Sequence, residues 1–238
     1  MLIIQKEVFL YMIVGIHQPN YLPWISFFHK MLSCDLFVIL DDVLCSNKEE
    51  RRNVIKGSNG TISLAIPLLN KRAQIKNIEM NNGLNWKHRH IYTLQGCYRK
   101  AEYWENIHPL FIDIYLNSGS KLADFNIALI ELIKEFLDIK IPMVSSSELS
   151  GIYGEKNTRI INICKSLGAD IYISGLGAKS YMNENAFYDN NIKVIYQNFH
   201  HPVYPQRWGT FIHNLSIVDL LFNCGPNAKR YIEKQIIL

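Results

Sequence analysis

Residues 12–43, MIVGIHQPNYLPWISFFHKMLSCDLFVILDDV, contain the pattern that decides the fold. Two short apolar runs, 12–16 and 36–40, predict strands. Between them Ile25, Phe28 and Met31 recur at helical spacing, so the segment predicts a βαβ unit whose two strands are parallel neighbours. Polar and aromatic side chains crowd the loop after the first strand, and open α/β sheets bind ligands at that carboxyl edge. The sequence therefore predicts a functional site where the two strands end.

Composition limits the class of protein. The chain has 238 residues, 48% of them hydrophobic and 19% charged, which is sufficient for the core of one α/β domain. The net charge of +4 is mild and no Lys/Arg run is present, which argues against a nucleic-acid partner. No apolar run approaches the roughly 18 residues of a membrane span. The residues before Met12 carry charges inside an apolar stretch, which is not typical of a signal peptide, and Met12 is an alternative start.

The cysteines and histidines do not predict a zinc site. The five cysteines are odd in number and have no CxxC spacing, so we expect reduced thiols and a cytoplasmic protein. His200 and His201 are adjacent, which is not the ligand spacing of zinc. Oxygen ligands would suit Mg²⁺ better. No resident metal is predicted, and ATP with Mg²⁺ stays open as a cofactor.

The rest of the chain divides into a core and an insertion. Residues 44–60 form a predicted polar connection, 61–68 a strand, and 86–98, 104–116 and 120–137 three helices. A helix at 157–167, a strand at 170–174, a helix at 183–190 and a strand at 192–196 then alternate before two C-terminal helices. We predict one α/β domain over residues 1–238, with a core of 12–80 and 146–238. A mostly helical insertion at 81–145 would form a wall of the cleft.

Three side chains at the predicted sheet edge are catalytic candidates. His17 ends the first strand and is the candidate general base, because imidazole accepts a proton near neutral pH; alternatively it only bonds backbone in a tight loop. Asp41 and Asp42 follow the second strand, and alternation points them to opposite faces. At most one is therefore expected to bind a substrate amine or Mg²⁺, while the other caps a helix or pairs with Arg52. We expect His17 and Asp41 at the same edge.

The proline-broken segment at 197–208 is either a ligand-binding loop or a structural corner. As a binding loop it would close over the cleft and bring His201 or Tyr204 opposite His17 across a cavity. Gln206 would then be a further contact. As a corner it would have no ligand role.

Two further charged residues need an interpretation. Lys179 follows two glycines and is a candidate phosphate ligand, although GLGAK lacks the length and the Ser/Thr of a P-loop. Asp219 lies in an apolar helix, and a buried carboxylate needs a partner. A structural pair with Arg159 or Arg207 and a catalytic role are both open.

Several long motifs resemble the WbqC-like family. They are IHQPNYLPW at 16–24, FVILDDV at 37–43, NVIK at 53–56, ADIYISGLGAKSYM at 169–182, YQNFHHPVYPQ at 196–206 and LSIVDLLFNCG at 215–225, together with Trp86, His90 and Tyr98. The likeness covers residues 12–225 and departs from the family pattern at Leu44 and Cys45. The resemblance implies a glycine or aminoacyl transferase acting on amino sugars in the biosynthesis of O-antigen and related lipopolysaccharide. The first unit also resembles, in layout, adenylate-forming nucleotidyltransferases.

These observations lead to one hypothesis and two alternatives. The hypothesis is a bacterial N-acyl transferase, aminoacyl or glycyl, that uses a nucleotide-linked amino sugar and an acyl donor as small-molecule partners. The alternatives are a nucleotidyltransferase-like enzyme and a non-catalytic sugar-nucleotide binding protein; the oligomeric state is not predicted. The predicted catalytic residues are His17, Asp41 and Asp42, with Asn20 or backbone N–H groups near Gly175 and Gly177 at the oxyanion. The predicted substrate-binding residues are Gln18, Asn20, Tyr21, Trp24, Asn53, Lys56, Trp86, His90, Ser174, Gly175, Lys179, Tyr181, His201, Tyr204 and Gln206.

Overall fold

A computed structural model describes residues 11–46 and 48–234. The strands are β1 (Ile13–His17), β2 (Leu36–Ile39), β3 (Arg52–Gly57), β4 (Gly60–Ala65), β5 (Met143–Ser145), β6 (Ile171–Ser174) and β7 (Lys193–Tyr196). The helices are α1 (Ile25–Leu32), α2 (Trp86–Tyr98), α3 (Trp104–Asn117), α4 (Leu122–Phe136), α5 (Lys156–Ser166), α6 (Glu184–Tyr188), α7 (Ile217–Cys224) and α8 (Ala228–Glu233). The predicted α/β class is confirmed.

Five of the strands form one parallel sheet in the order β5-β2-β1-β6-β7. From β1 the chain builds outward through β2 and β5 on one side. It then returns to the other side of β1 and builds outward again through β6 and β7. The direction of winding therefore reverses between β1 and β6. In open α/β sheets that reversal opens a crevice at the carboxyl edge, and ligands bind in it.

Side chains alternate along the central strands and divide the core into two layers. Val14 and Ile16 of β1 pack with Val38 and with residues of α5 and α6 on one face. Phe37 packs on the other face with α1, the helical insertion and α7. Gly15 lies between Val14 and Ile16, and a Cβ there would stand 3.1 Å from both Cys34 Sγ and the Phe37 ring. A small residue is therefore needed where β1 packs against Cys34 and the Phe37 ring.

The structure differs from the prediction at the end of the insertion and in the connection after β2. Residues 143–145 form the edge strand β5, so the inserted segment ends before them rather than at residue 145. The predicted polar connection contains strand β3, which forms an antiparallel hairpin with β4 outside the parallel sheet. The hairpin packs with α2 and α7. The helices predicted at 86–98, 104–116 and 120–137 are present as α2, α3 and α4.

Two predictions about the environment of the chain can be compared with the described residues. All five cysteines are buried, and none is part of a disulfide. No described helix combines the length and the apolar character that a bilayer crossing requires. The prediction about a signal peptide concerns residues 1–10, which lie outside the described part of the chain.

Candidate functional site

The carboxyl edge of the sheet brings β1 and β2 together as predicted. His17 is in register with Ile39, and the Leu40 N–H donates to the His17 carbonyl at 2.8 Å. Asp41 is the next residue. Neighbouring strands lie about 5 Å apart, so His17 and Asp41 are held at the same edge by the β1–β2 ladder.

One ring nitrogen of His17, Nε2, is available to accept a proton. Its Nδ1 lies 3.1 Å from the Gln18 carbonyl oxygen. Because a carbonyl only accepts hydrogen bonds, Nδ1 carries the proton and Nε2 keeps its lone pair. The ring packs edge-on against Phe27 at 5.0 Å. Burial, and after it the nearby Lys30 ammonium, lowers the pKa of His17 to about 3. The imidazole of the free protein is therefore neutral over the whole physiological pH range.

Lys30 is a residue of this edge that the sequence analysis missed. It is only 4% exposed, and its Nζ lies 3.4 Å from the Ile16 carbonyl oxygen, one residue before His17. Burial lowers the pKa of this amine to about 8, so it still carries a proton at neutral pH. The signal in the sequence was a lysine beside Phe27, Phe28 and Met31 in a short apolar helix, where a charge has no obvious reason to be.

Asp41 and Asp42 are both occupied by structural contacts. Asp41 accepts hydrogen bonds from the Ser147 N–H at 3.0 Å and the Ser147 hydroxyl at 2.6 Å, and the Ser146 hydroxyl oxygen lies 3.1 Å from it. Asp42 accepts from the Ser146 hydroxyl at 2.5 Å and forms an ion pair with Arg159 of α5. Two alternatives considered above, a pair of one aspartate with Arg52 and a pair of Asp219 with Arg159, are therefore not found among the described ion pairs. Both carboxylates fasten β2 to the segment after β5.

The loop after β6 lies on the other side of His17. Ser174 is fully buried, and its hydroxyl lies 3.4 Å from the Gly175 carbonyl. A Cβ placed on Gly175 would lie 3.7 Å from Lys30 Nζ, so this loop approaches the buried amine directly. Lys179 is exposed with its ammonium over the Tyr196 ring, and Tyr181 is exposed.

The late loop lies against α1 and α7. The Gln197 amide donates to the Ser26 carbonyl at 2.7 Å and reaches His29 Nδ1 at 2.7 Å. His201 packs among aromatic rings, and burial lowers its pKa. The described contacts of Tyr204 lead to α7 and α8 rather than to His17. They support the structural corner and not the binding loop.

A buried polar network explains Asp219 and Lys56. The hydroxyls of Tyr98 and Tyr204 donate to the two Asp219 oxygens at 2.8 and 2.9 Å. Lys56 Nζ donates to Gln206 Oε1 at 2.9 Å and to the Thr210 carbonyl at 2.6 Å. Burial raises the pKa of Asp219. These polar groups have protein partners, so the network argues for a structural role of Lys56, Tyr204 and Gln206.

The remaining members of the predicted site separate into buried and edge residues. Tyr21 is fully buried and hydrogen-bonds His90 Nδ1 at 2.8 Å, and Trp86 packs on His90. Asn53 donates to the Leu22 carbonyl at 2.7 Å. This placement in the core argues against direct substrate contact by these four residues. Asn20 is also buried, but no described group bonds its Oδ1; Trp24 and Gln18 are half-buried in the same loop.

Metal ligation has no evident place among the described residues. No group of three or more His, Cys, Asp or Glu side chains converges there. The carboxylates of Asp41 and Asp42 already accept hydrogen bonds from serines and, at Asp42, an arginine.

The chain is similar to known proteins in sequence, and no solved structure shares the similarity. The sequence profile of the WbqC-like protein family matches residues 18–231. A Mycobacterium tuberculosis protein described as "Uncharacterized protein Rv1507c" is 32% identical over 224 residues, covering 92% of this chain and 96% of that protein. No solved structure matches the chain.

Proposed function

Because the chain belongs to the WbqC-like protein family, we propose that it transfers an aminoacyl group, such as glycyl, to the amine of a nucleotide-linked sugar. The product would enter the assembly of a bacterial surface polysaccharide such as O-antigen. The observation that carries the proposal is the His17 imidazole at the strand-order reversal, with Nδ1 bonded to backbone and Nε2 without a described partner.

The reaction requires a proton acceptor for the attacking amine. The sugar amine forms a bond to the carbonyl carbon of an activated carboxyl group and loses a proton, and His17 Nε2 is the proposed acceptor. The carbonyl oxygen becomes an oxyanion, which the Asn20 amide or the backbone N–H groups of Gly175 and Gly177 would stabilise. The oxyanion then collapses and expels the activating group. ATP with Mg²⁺ is the proposed source of activation when the carboxyl group arrives free.

The test is a panel of UDP-linked and dTDP-linked amino sugars, incubated with glycine, ATP and Mg²⁺ or with a glycyl thioester. Mass spectrometry should detect the acylated sugar nucleotide. His17→Asn should keep its melting temperature and lose roughly 10²- to 10⁴-fold in turnover, the usual contribution of a general base. His88→Asn is the matched control, since His88 is exposed on α2. Normal turnover of His17→Asn would refute the assignment of the base.

The strand order also favours a second candidate, nucleotidyl transfer, because nucleotides bind at such a reversal in other α/β sheets. Release of pyrophosphate from a nucleoside triphosphate with a sugar phosphate, without any acylated product, would support that candidate. Tight binding without turnover, together with a dispensable His17, would instead indicate a sugar-nucleotide binding protein.

A further inference from the structure

Lys30 carries a buried charge without a countercharge. Its side chain is 4% exposed, and among the described residues no carboxylate lies within ion-pair distance of it. Its described polar contact is the Ile16 carbonyl at 3.4 Å, which is long for a hydrogen bond. An isolated ammonium is expensive to remove from water, so proteins rarely hold one without a partner. The buried, unpaired ammonium is therefore a candidate partner for an anionic ligand.

The Lys30 amine lies at the carboxyl edge of the sheet, where a ligand is expected. Side chains on a helix lean toward its N-terminus, and α1 begins just after the loop that leaves β1. Lys30 therefore reaches back toward the carboxyl edge, where it meets Ile16 at the end of β1 and Gly175 at the end of β6. These two strands flank the reversal of the sheet order.

The described groups around Lys30 carry no negative charge that pairs with its ammonium. His17 is neutral, and burial raises the pKa of the Cys34 thiol to about 12, so that thiol is also neutral at pH 7. Lys179 adds a second ammonium on the loop after β6. The Tyr196 side chain has the Lys179 ammonium over its ring and donates from its hydroxyl to Glu184 at 2.7 Å on the exposed surface. Lys30 is therefore the ammonium described at the seam between β1 and β6.

We propose that Lys30 binds a phosphate group of the ligand at the seam between β1 and β6. This inference deepens the proposed function and rests on its substrate class, because a nucleotide-linked sugar carries a diphosphate. The buried Lys30 ammonium would pair with one phosphate group of that diphosphate. Gly175 borders this amine, because a Cβ there would lie 3.7 Å from Nζ, in ordinary van der Waals contact.

The test is isothermal titration of the full chain with UDP and with pyrophosphate, at pH 7 and low salt. Lys30→Met keeps the shape of the side chain and removes the charge. Gly175→Ala keeps the charge and places a methyl group 3.7 Å from Nζ, at a backbone φ of −72° that alanine adopts freely. Each variant should weaken UDP binding at least tenfold. The matched controls Lys193→Met and Gly119→Ala lie on the surface and in open space, and they should bind as the unaltered protein does.

A pH series gives a second readout. Affinity for UDP should fall as the pH rises above about 8, where Lys30 loses its proton, while the phosphate, with a last pKa of about 6, no longer changes its charge. Lys30→Met should show no such decline. The proposal is overturned if neither UDP nor pyrophosphate binds, if both variants bind UDP normally, or if glycine alone binds in a Lys30-dependent way as tightly as UDP.

Failure of the inference and failure of the proposed function are distinguishable. Lys30-dependent binding of UDP without any acylated product would leave the phosphate site in place and refute acyl transfer. An acylated product together with Lys30-independent binding would do the opposite.

Discussion

Replacing Lys30 with methionine is expected to stabilise the folded protein at neutral pH. Burial lowers the pKa of this amine from 10.5 to about 8. Each pKa unit is worth about 1.4 kcal/mol, so holding the charge in the folded state costs about 3 kcal/mol. Methionine has nearly the same shape and no charge, and it loses only a weak contact to the Ile16 carbonyl. A gain of about 3 kcal/mol would raise the melting temperature by roughly 6–12 °C in a domain of this size.

The sign of the pH dependence follows from proton binding. Below pH 8 the amine is protonated in both states, and the full destabilisation is present. Between about pH 8 and 10.5 the unfolded chain keeps a proton that the folded chain has released, so the stability of the unaltered protein rises with pH. The advantage of Lys30→Met should therefore be constant below pH 8 and disappear toward pH 10.5.

Urea denaturation at several pH values from 6 to 10.5 measures this advantage. Phosphate must be left out of the buffers, because a bound anion would stabilise the unaltered protein alone. Lys193→Met is the control for loss of a lysine at the surface. A Lys30→Met protein that is less stable than the unaltered protein at pH 7, or an advantage that persists at pH 10.5, would refute the reasoning.

The remaining predictions concern three other side chains, His17, Arg159 and Tyr204. The pKa of His17, measured by NMR, should rise when UDP binds and also in Lys30→Met, because each removes the influence of the ammonium; an unchanged titration in both would contradict the coupling. Arg159→Met should destabilise the protein by about 3 kcal/mol in urea denaturation, since it leaves the mostly buried Asp42 carboxylate without its ion pair; a loss below 1 kcal/mol would contradict this. Tyr204→Phe should lose about 1–3 kcal/mol in the same assay, because a buried carboxylate oxygen loses its donor, while binding of UDP should stay unchanged.

Local periodicity predicted much of the sheet. Residues 12–43 read correctly as strand, helix and strand because two apolar runs flank a helical repeat. Strand β5 was missed because three residues at a sheet edge carry no recognisable period. Strand β3 was missed because its sequence, RNVIKG, contains charged residues at both ends, and the burial of Lys56 depends on partners 150 or more positions away.

The candidate site was less accessible from sequence, because its charges are compensated by distant residues. The partners of Asp41 and Asp42 lie 104 to 117 positions further along the chain, and the fold alone brings them together. Tyr21 and His90 sit in polar motifs, yet they are buried against each other where the helical insertion packs on the loop after β1. Lys30 is the opposite case, because it lies at the site and was not predicted to belong to it. A lysine in a short helix is usually interpreted as a surface residue. The burial of Lys30 without a carboxylate partner becomes apparent only when the residues around the β1–β6 seam are known.

The electrostatic coupling between Lys30 and His17 gives the proposed substrate a part in catalysis. In the free protein the buried ammonium helps to keep the pKa of the imidazole near 3, and so weak a base takes up a proton from an amine poorly. An anion on Lys30 cancels that influence and raises the pKa of His17, although burial still opposes the charge. An amino sugar linked to a nucleotide would carry this anion with it, whereas a free amino sugar would not. The protein would then discriminate between the nucleotide-linked and the free amino sugar through the rate of the chemical step. A free amino sugar supplied at saturating concentration would still react slowly.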